Sequence, residues 1–387
     1  MHVDEIVQKC ETLYNDLDHK CVDEWRQETG GRAVGFMPVY VPREIIHAAG
    51  MLPVGVMGGG DGIEIIRGDA YYQSYICHIP RSTIEMALTG RLDCLDGMLF
   101  PAICDVIRNL SGMWKLMFED KYARYVDFPQ NFAGAIGGEF YMTELRSIAS
   151  DMTTISGIEI TDERLRDSIK LYNENRHAID ALYELRATSP HVVPTIELYL
   201  LMRASNLLPV DAHTAMVREY IEAAKDREAA QMDNIRVIVT GVFCEQPSLG
   251  LVRALEQSGC YIVDDDWLLG ARYIQGDVSA EGDPMQALCD AYLERGVATS
   301  SRYIDKDEKG RDLIDRVRNL GAEGVVFASP SFCDPALLER PMLQAALARE
   351  GIPYTAFKFS ENSGQYQAIK EQTGTFSDSI KLWGTAA

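Results

Sequence analysis

Short apolar runs punctuate the first third of the chain: AVGFMPVYV (33 to 41), MLPVGVM (51 to 57), LDGMLF (95 to 100) and ARYVDF (123 to 128). Between them stand stretches with apolar residues at helical spacing, such as PREIIHAAG, PRSTIEMALTGR and DVIRNLSGMWKLMFED. β-rich runs alternating with helical patterns predict a parallel, doubly wound sheet. After NIRVIVTGVF (234 to 243) the alternation resumes through GCYIVDDD, GAEGVVFASPSF, a helix opening at Asp334, IPYTAFKF and a last helix near 361 to 378.

Between these halves, from about 136 to 230, the period lengthens to that of long helices. In TDERLRDSIKLYNENRHAIDALYELR, Thr161 offers a helix cap ahead of a charged first turn. Leu165, Ile169, Tyr172, Ile179 and Tyr183 then fall broadly on one face. The fold expected is therefore α/β: two Rossmann-like or flavodoxin-like parallel-sheet lobes with a helical middle domain. Residues 1–135 would form an N-terminal helix plus the first lobe, 136–232 the helical domain and 233–387 the second lobe. The length of 387 residues agrees, since one hydrophobic core stops growing at ~250 to 300. No short-period repeat is visible; a repeat, if present, is the pair of lobes.

Composition narrows the function. With 47% hydrophobic and 25% charged residues the chain has an ordinary globular make-up. A net charge of −21 repels phosphate backbones and excludes a nucleic-acid partner. An anionic ligand would need a local cationic pocket. The opening MHVDEIVQKCETLYNDLDHK mixes both charge signs with helical spacing, unlike a signal peptide. No apolar run approaches the ~20 residues of a membrane span, so a cytoplasmic protein without a membrane partner is expected.

Nine cysteines, an odd number spread thinly, make disulfides unexpected and leave core packing, redox chemistry or metal binding open. Two stand in a repeated context: PAICD (101 to 105) and PSFCD (330 to 334) each close an apolar run and open a helix. Cys104 and Cys333 are thus expected at the carboxyl ends of strands, with the following Asp as helix cap, where ligands bind in open α/β sheets. The positive end of a helix dipole there lowers a thiol pKa toward the thiolate. Cys77, in QSYICHIPRST, has the same setting, because Pro80 suits the first turn of a helix. A cleft between facing lobes would bring the three together, and thiolates are the usual iron-sulfur ligands. Buried core packing is the alternative for each.

Weaker candidates surround these. Tyr75 and His78 flank Cys77 and are candidate proton or hydrogen-bond donors, with helix-start packing as the alternative. Cys244, in VTGVFCEQP, is a candidate fourth ligand or a core cysteine. The GGGDG turn (58 to 62) offers backbone N–H groups to a phosphate or is a plain glycine turn. Arg81, Arg108 and Arg272 are possible anion contacts or surface ion pairs. The run around Trp114, SGMWKLMF, reads as core or a subunit interface. No G-x-x-x-x-G-K-[ST] loop is present, so ATP hydrolysis is not expected on this chain.

Several stretches together resemble the 2-hydroxyacyl-CoA dehydratase and ATP-dependent benzoyl-CoA reductase subunit family. They are PREIIHAAGMLPVG, SYIC, FPAICDVIRNL, VDDD with Gly270 and Arg272, and SFCDPALLERPML, spread over about 34 to 365. GFMPVYVPREIIHAAGMLPVGVMGGGD, YYQSYICHIPRSTIE, DVIRNLSGMWKLMF and IPYTAFKFSENSGQ with TFSDSIKLW are more similar to the smaller iron-sulfur, C-type, reductase subunit. The ending YQAIKEQTGTF departs from the acidic, arginine-containing segment common in the dehydratases.

The resemblance implies that Cys77, Cys104 and Cys333 hold a [4Fe-4S] cluster. It implies ATP-Mg on separate electron-activating subunits, a homologous iron-sulfur subunit, a ferredoxin or similar low-potential donor, and an acyl-CoA substrate. The implied reaction is reductive dearomatisation of benzoyl-CoA to cyclohexa-1,5-diene-1-carbonyl-CoA. A 2-hydroxyacyl-CoA dehydratase subunit is the first alternative. A non-catalytic electron-transfer or scaffold subunit is the second, and a plain two-lobe binding protein with core cysteines the third.

Overall fold

The computed structural model describes residues 2–242, 246–302, 304, 308–360 and 365–384. Two four-stranded sheets, wholly parallel, organise it. In the first, β1 (Arg32–Phe36), β2 (Met51–Gly55), β3 (Gly97–Pro101) and β4 (Tyr122–Val126) lie in the order β2-β1-β3-β4. In the second, β5 (Ile235–Thr240), β6 (Cys260–Asp265), β7 (Gly324–Pro330) and β8 (Tyr354–Phe359) lie in the order β6-β5-β7-β8. Numbered within each lobe, the two orders are the same. The α/β fold expected from the alternating pattern is the fold observed.

Strands β2, β3 and β7 are buried along their whole length, as helices covering both faces of a parallel sheet require. Val34, Val54 and Leu99 fill the first sheet's core, and Val237, Val239 and Val326 the second's. The run 33 to 41 is a strand only as far as Phe36. Pro38 and Pro42 lack the N–H a ladder needs, and residues 37–41 continue as buried connecting chain. The last helix runs Tyr366–Trp383, later than the spacing predicts, and ends at Gly384 with φ 69°.

Four helices, Glu139–Ser156, Asp162–Thr188, Thr195–Ala204 and Val210–Lys225, lie between the two sheets in sequence. The second is capped as expected, Thr161 Oγ1 accepting from the Arg164 N–H at 3.3 Å, and buries Leu165, Ile169, Tyr172, Ile179 and Tyr183. This helix is tied to both lobes. Ser168 Oγ donates to the Glu44 carbonyl at 2.8 Å, and Arg176 pairs with the buried Glu44 carboxylate. At its other end Arg186 Nη1 donates to Asp265 Oδ2 at 2.7 Å and the Tyr183 hydroxyl to Asp265 Oδ1 at 3.0 Å. Among the described residues no helix is long and apolar enough to cross a membrane.

Candidate functional site

The repeated Pro-x-x-Cys-Asp occupies the same place in each lobe. Pro101 ends β3 and Pro330 ends β7, the third strand of each sheet. Cys104 and Cys333 are then the capping residues of the helices Asp105–Met117 and Asp334–Arg349. Cys77 caps the helix His78–Leu88, with Pro80 in its first turn. The expected Asp caps are thereby corrected: Asp105 and Asp334 are the first helical residues. Cys104 keeps the non-helical φ of −161° that a cap requires, while one residue on each carboxylate still meets the positive helix end.

All three cysteines line one cavity of about 470 Å³ between the lobes. Ile79, Ile103, Val106 and Ile107 supply apolar wall from the first lobe, and Phe332, Leu338 and Met342 from the second. Phe332 has φ 65°, a region a bulky side chain rarely adopts, and remains half exposed. The three cysteines are reduced thiols.

The protonation expectation needs correction at Cys104. Burial pushes its pKa up and outweighs the lowering by the Ile107 and Val106 backbone N–H groups, while Cys333 nearby raises it further. An iron ion would displace the proton on binding, since the thiolate is the ligand. Among the described residues no three His, Cys, Asp or Glu side chains converge on a single ion. Thiols spread around one cavity suit a polynuclear cluster, whose cysteines ligate different irons. The donor set therefore fits an iron-sulfur group. Cys244 lies outside the described residues.

The other candidates stand away from this cavity's lining. Tyr75 is exposed and His78 half-buried, and neither lines it. Arg81 Nε donates to Asp69 Oδ1 at 2.9 Å, and the Arg108 guanidinium sits 5.3 Å from the Tyr125 ring centre. In the glycine turn, Gly59 N donates to Ser82 Oγ at 3.2 Å and Asp61 accepts from the Tyr366 hydroxyl at 3.1 Å, so the turn has partners within the protein. Trp114 is core, packed edge-on to Phe100 with ring centres 5.6 Å apart.

Arg272 marks a second cavity, of about 250 Å³, at the carboxyl ends of β5, β6 and β7. In the sequence VDDD and Arg272 carry only the resemblance; three acids at a strand end were the available signal for a cavity. Burial pushes the Asp264 carboxyl up, but Arg316 and Arg272 outweigh it and hold Asp264 well below the usual carboxylate range. Asp266 goes the other way. Burial raises it from 3.8 to about 6 against the Gly241 N–H and the Thr240 hydroxyl, which donate to its Oδ2 at 2.6 and 2.9 Å.

A folded-state pKa above the unfolded value means that the folded chain binds the proton more tightly. The Asp266 contribution is then present at low pH and is lost as pH rises from about 4 to about 6. Asp266→Asn is expected to remove this decline, read as urea midpoints across that range. Parallel pH profiles for parent and variant would refute the assignment.

A two-lobed α/β chain that carries three strand-end thiols to one interlobe cavity defines a class in outline, a subunit able to hold a metal cluster on thiols between its lobes. The pattern of the family described as "2-hydroxyglutaryl-CoA dehydratase, D-component" matches residues 38–380. The chain belongs to that family. It is 56% identical over 385 residues to the C-type subunit of the benzoyl-CoA reductase of Thauera aromatica, covering 99% of this chain and 100% of that one. It is 28% identical to the (R)-phenyllactyl-CoA dehydratase beta subunit of Clostridium sporogenes, covering 93% and 95%. It is also 28% identical to the beta subunit of lactoyl-CoA dehydratase of Anaerotignum propionicum, covering 92% and 94%.

Proposed function

We propose that this chain is the iron-sulfur subunit of an ATP-dependent benzoyl-CoA reductase that reduces benzoyl-CoA to cyclohexa-1,5-diene-1-carbonyl-CoA. The carrying observation is the 56% identity to a benzoyl-CoA reductase subunit along the whole of both chains, twice that to the dehydratase subunits. Cys77, Cys104 and Cys333 would hold a [4Fe-4S] cluster in the interlobe cavity. When bound, such a group supplies single electrons at low potential.

The chain's own residues set the surroundings. Adding an electron to a benzene ring is unfavourable, and the thioester carbonyl makes it attainable by sharing the charge. Ile79, Ile103 and Ile107 on the cavity wall keep water from competing for that electron. The chain lacks a G-x-x-x-x-G-K-[ST] loop, so ATP-Mg is assigned to separate electron-activating subunits. A homologous iron-sulfur subunit and a ferredoxin-like donor complete the complex, in the cytoplasm.

The second reading, a 2-hydroxyacyl-CoA dehydratase subunit, draws on the family pattern and the two dehydratase relatives. One experiment separates them. The complex is isolated anaerobically, given ATP, a strong reductant and benzoyl-CoA, and the aromatic absorbance followed. ATP-dependent loss supports the reductase; no loss, with dehydration of a 2-hydroxyacyl-CoA, transfers the chain to the dehydratases.

A further inference from the structure

Two cavities of opposite character meet at one charged wall. The thiol cavity is walled largely by apolar side chains and the strand-end cavity by polar ones, yet Ser300, Lys309 and Glu339 line both. Lys309 Nζ lies 2.6 Å from Glu339 Oε1, and the two side chains are only 11% and 16% exposed.

The lining decides what the strand-end cavity holds. Among its described lining residues carboxylates outnumber cations six to four. Three of those cations are committed, Arg272 and Arg316 to Asp264 and Lys309 to Glu339. An anion would meet surplus negative charge, and among the described residues no side-chain group suited to a metal ion is present. Ser329 Oγ, fully buried on the cavity wall, has no hydrogen-bond partner among the described residues, and neither has Ser300 Oγ. A buried hydroxyl left dry costs about 1–3 kcal/mol. A polar space of about 250 Å³ far exceeds the ~10–15 Å³ that one water needs.

We propose that this cavity is a water-filled chamber and that the Lys309–Glu339 pair relays protons from it into the thiol cavity. The inference rests on the reading above that an acyl thioester is reduced there. Each electron added to the ring calls for a proton, and apolar walls hold bulk water away. In the relay, a Lys309 Nζ–H bond breaks as a bond to hydrogen forms at the acceptor in the thiol cavity. Nζ regains its proton from chamber water, which refills from solvent, and no electron moves in the exchange. Glu339 holds Nζ at the shared wall.

The test uses the anaerobically purified complex with Lys309→Arg. Arginine keeps the charge and the pairing to Glu339 but does not release its proton. Turnover is expected to fall by roughly 10²-fold and its solvent deuterium isotope effect to rise, with the cluster's electron paramagnetic resonance spectrum unchanged. Parent turnover and isotope effect in this variant would overturn the relay. Diffraction from the parent complex gives a readout independent of activity: ordered waters are expected from Ser329 Oγ to Lys309 Nζ. A dry chamber, or one closed off from Lys309, overturns the proposal whatever the variant does. If the complex dehydrates a 2-hydroxyacyl-CoA in place of reducing benzoyl-CoA, the functional reading fails. The chamber waters and the Lys309→Arg comparison on that substrate then still decide the relay.

Discussion

Cys104→Ser is expected to leave a folded chain that assembles with its partners but has lost turnover and cluster iron. Serine preserves the shape of the side chain and its place at the start of the helix Asp105–Met117, so far-UV circular dichroism should match the parent. What changes is the donor: a hydroxyl in place of the soft thiolate that iron-sulfur groups select. The loss should exceed the roughly 10- to 100-fold cost of removing an outer-shell partner of a metal site. Iron per complex and paramagnetic resonance spectra report the binding, and ATP-dependent benzoyl-CoA consumption the activity. Cys289→Ser is the control, a buried cysteine outside the cavity lining whose Sγ donates to the Gly138 carbonyl at 3.5 Å. Equal iron and turnover in Cys104→Ser and parent would end the ligand assignment.

Asp265→Ala should cost about 3–5 kcal/mol of stability, the largest effect expected outside the thiol site. Asp265 and Arg186 are both fully buried and 2.7 Å apart. Truncating the carboxylate strands a guanidinium whose Nε and Nη2 have no other hydrogen-bond partner among the described residues. Its remaining support is the Tyr183 ring, 4.5 Å from the guanidinium carbon. Two further donors lose their acceptor, the Tyr183 hydroxyl and the Trp267 N–H, each at 3.0 Å from Oδ1. Replacing both partners, Arg186→Met with Asp265→Leu, is expected to recover much of the loss, because an apolar pair carries no stranded charge. Urea midpoints measure both variants; a single-variant loss under about 1 kcal/mol would show that the pair is dispensable.

Much of this architecture was legible because parallel sheets write themselves plainly. β3 and β7 are continuous apolar runs that end at Pro101 and Pro330, and a helix follows each. The helix cap at Thr161 and the buried face from Leu165 to Tyr183 follow from local spacing and hold in the structure. The convergence of Cys77, Cys104 and Cys333 was legible as chemistry, since three cysteines shared one local setting, but spacing alone carried no distance between lobes.

Other features were not local. The sign of the Cys104 shift depends on how completely neighbours exclude water, and the helix-end rule covers only one of the competing effects. The strand-end cavity draws on Asp180, Asp264, Lys309 and Glu339, which lie on separate elements. No window of sequence holds them together. Lys309 in particular sits in a charged stretch that reads as surface, yet its side chain is largely enclosed.

The shared strand order has a mechanical consequence. Cys104 and Cys333 stand more than two hundred residues apart in the chain and at the same topological position in separate lobes. Any group they hold jointly is a crosslink closing a very long loop, and such crosslinks restrict the unfolded chain more than short ones do. It is a removable one, unlike a disulfide. Oxygen that strips iron from the cavity would then unfasten the two halves of the molecule as well as silence it, so exposure to air should register as a fall in melting temperature alongside the loss of colour.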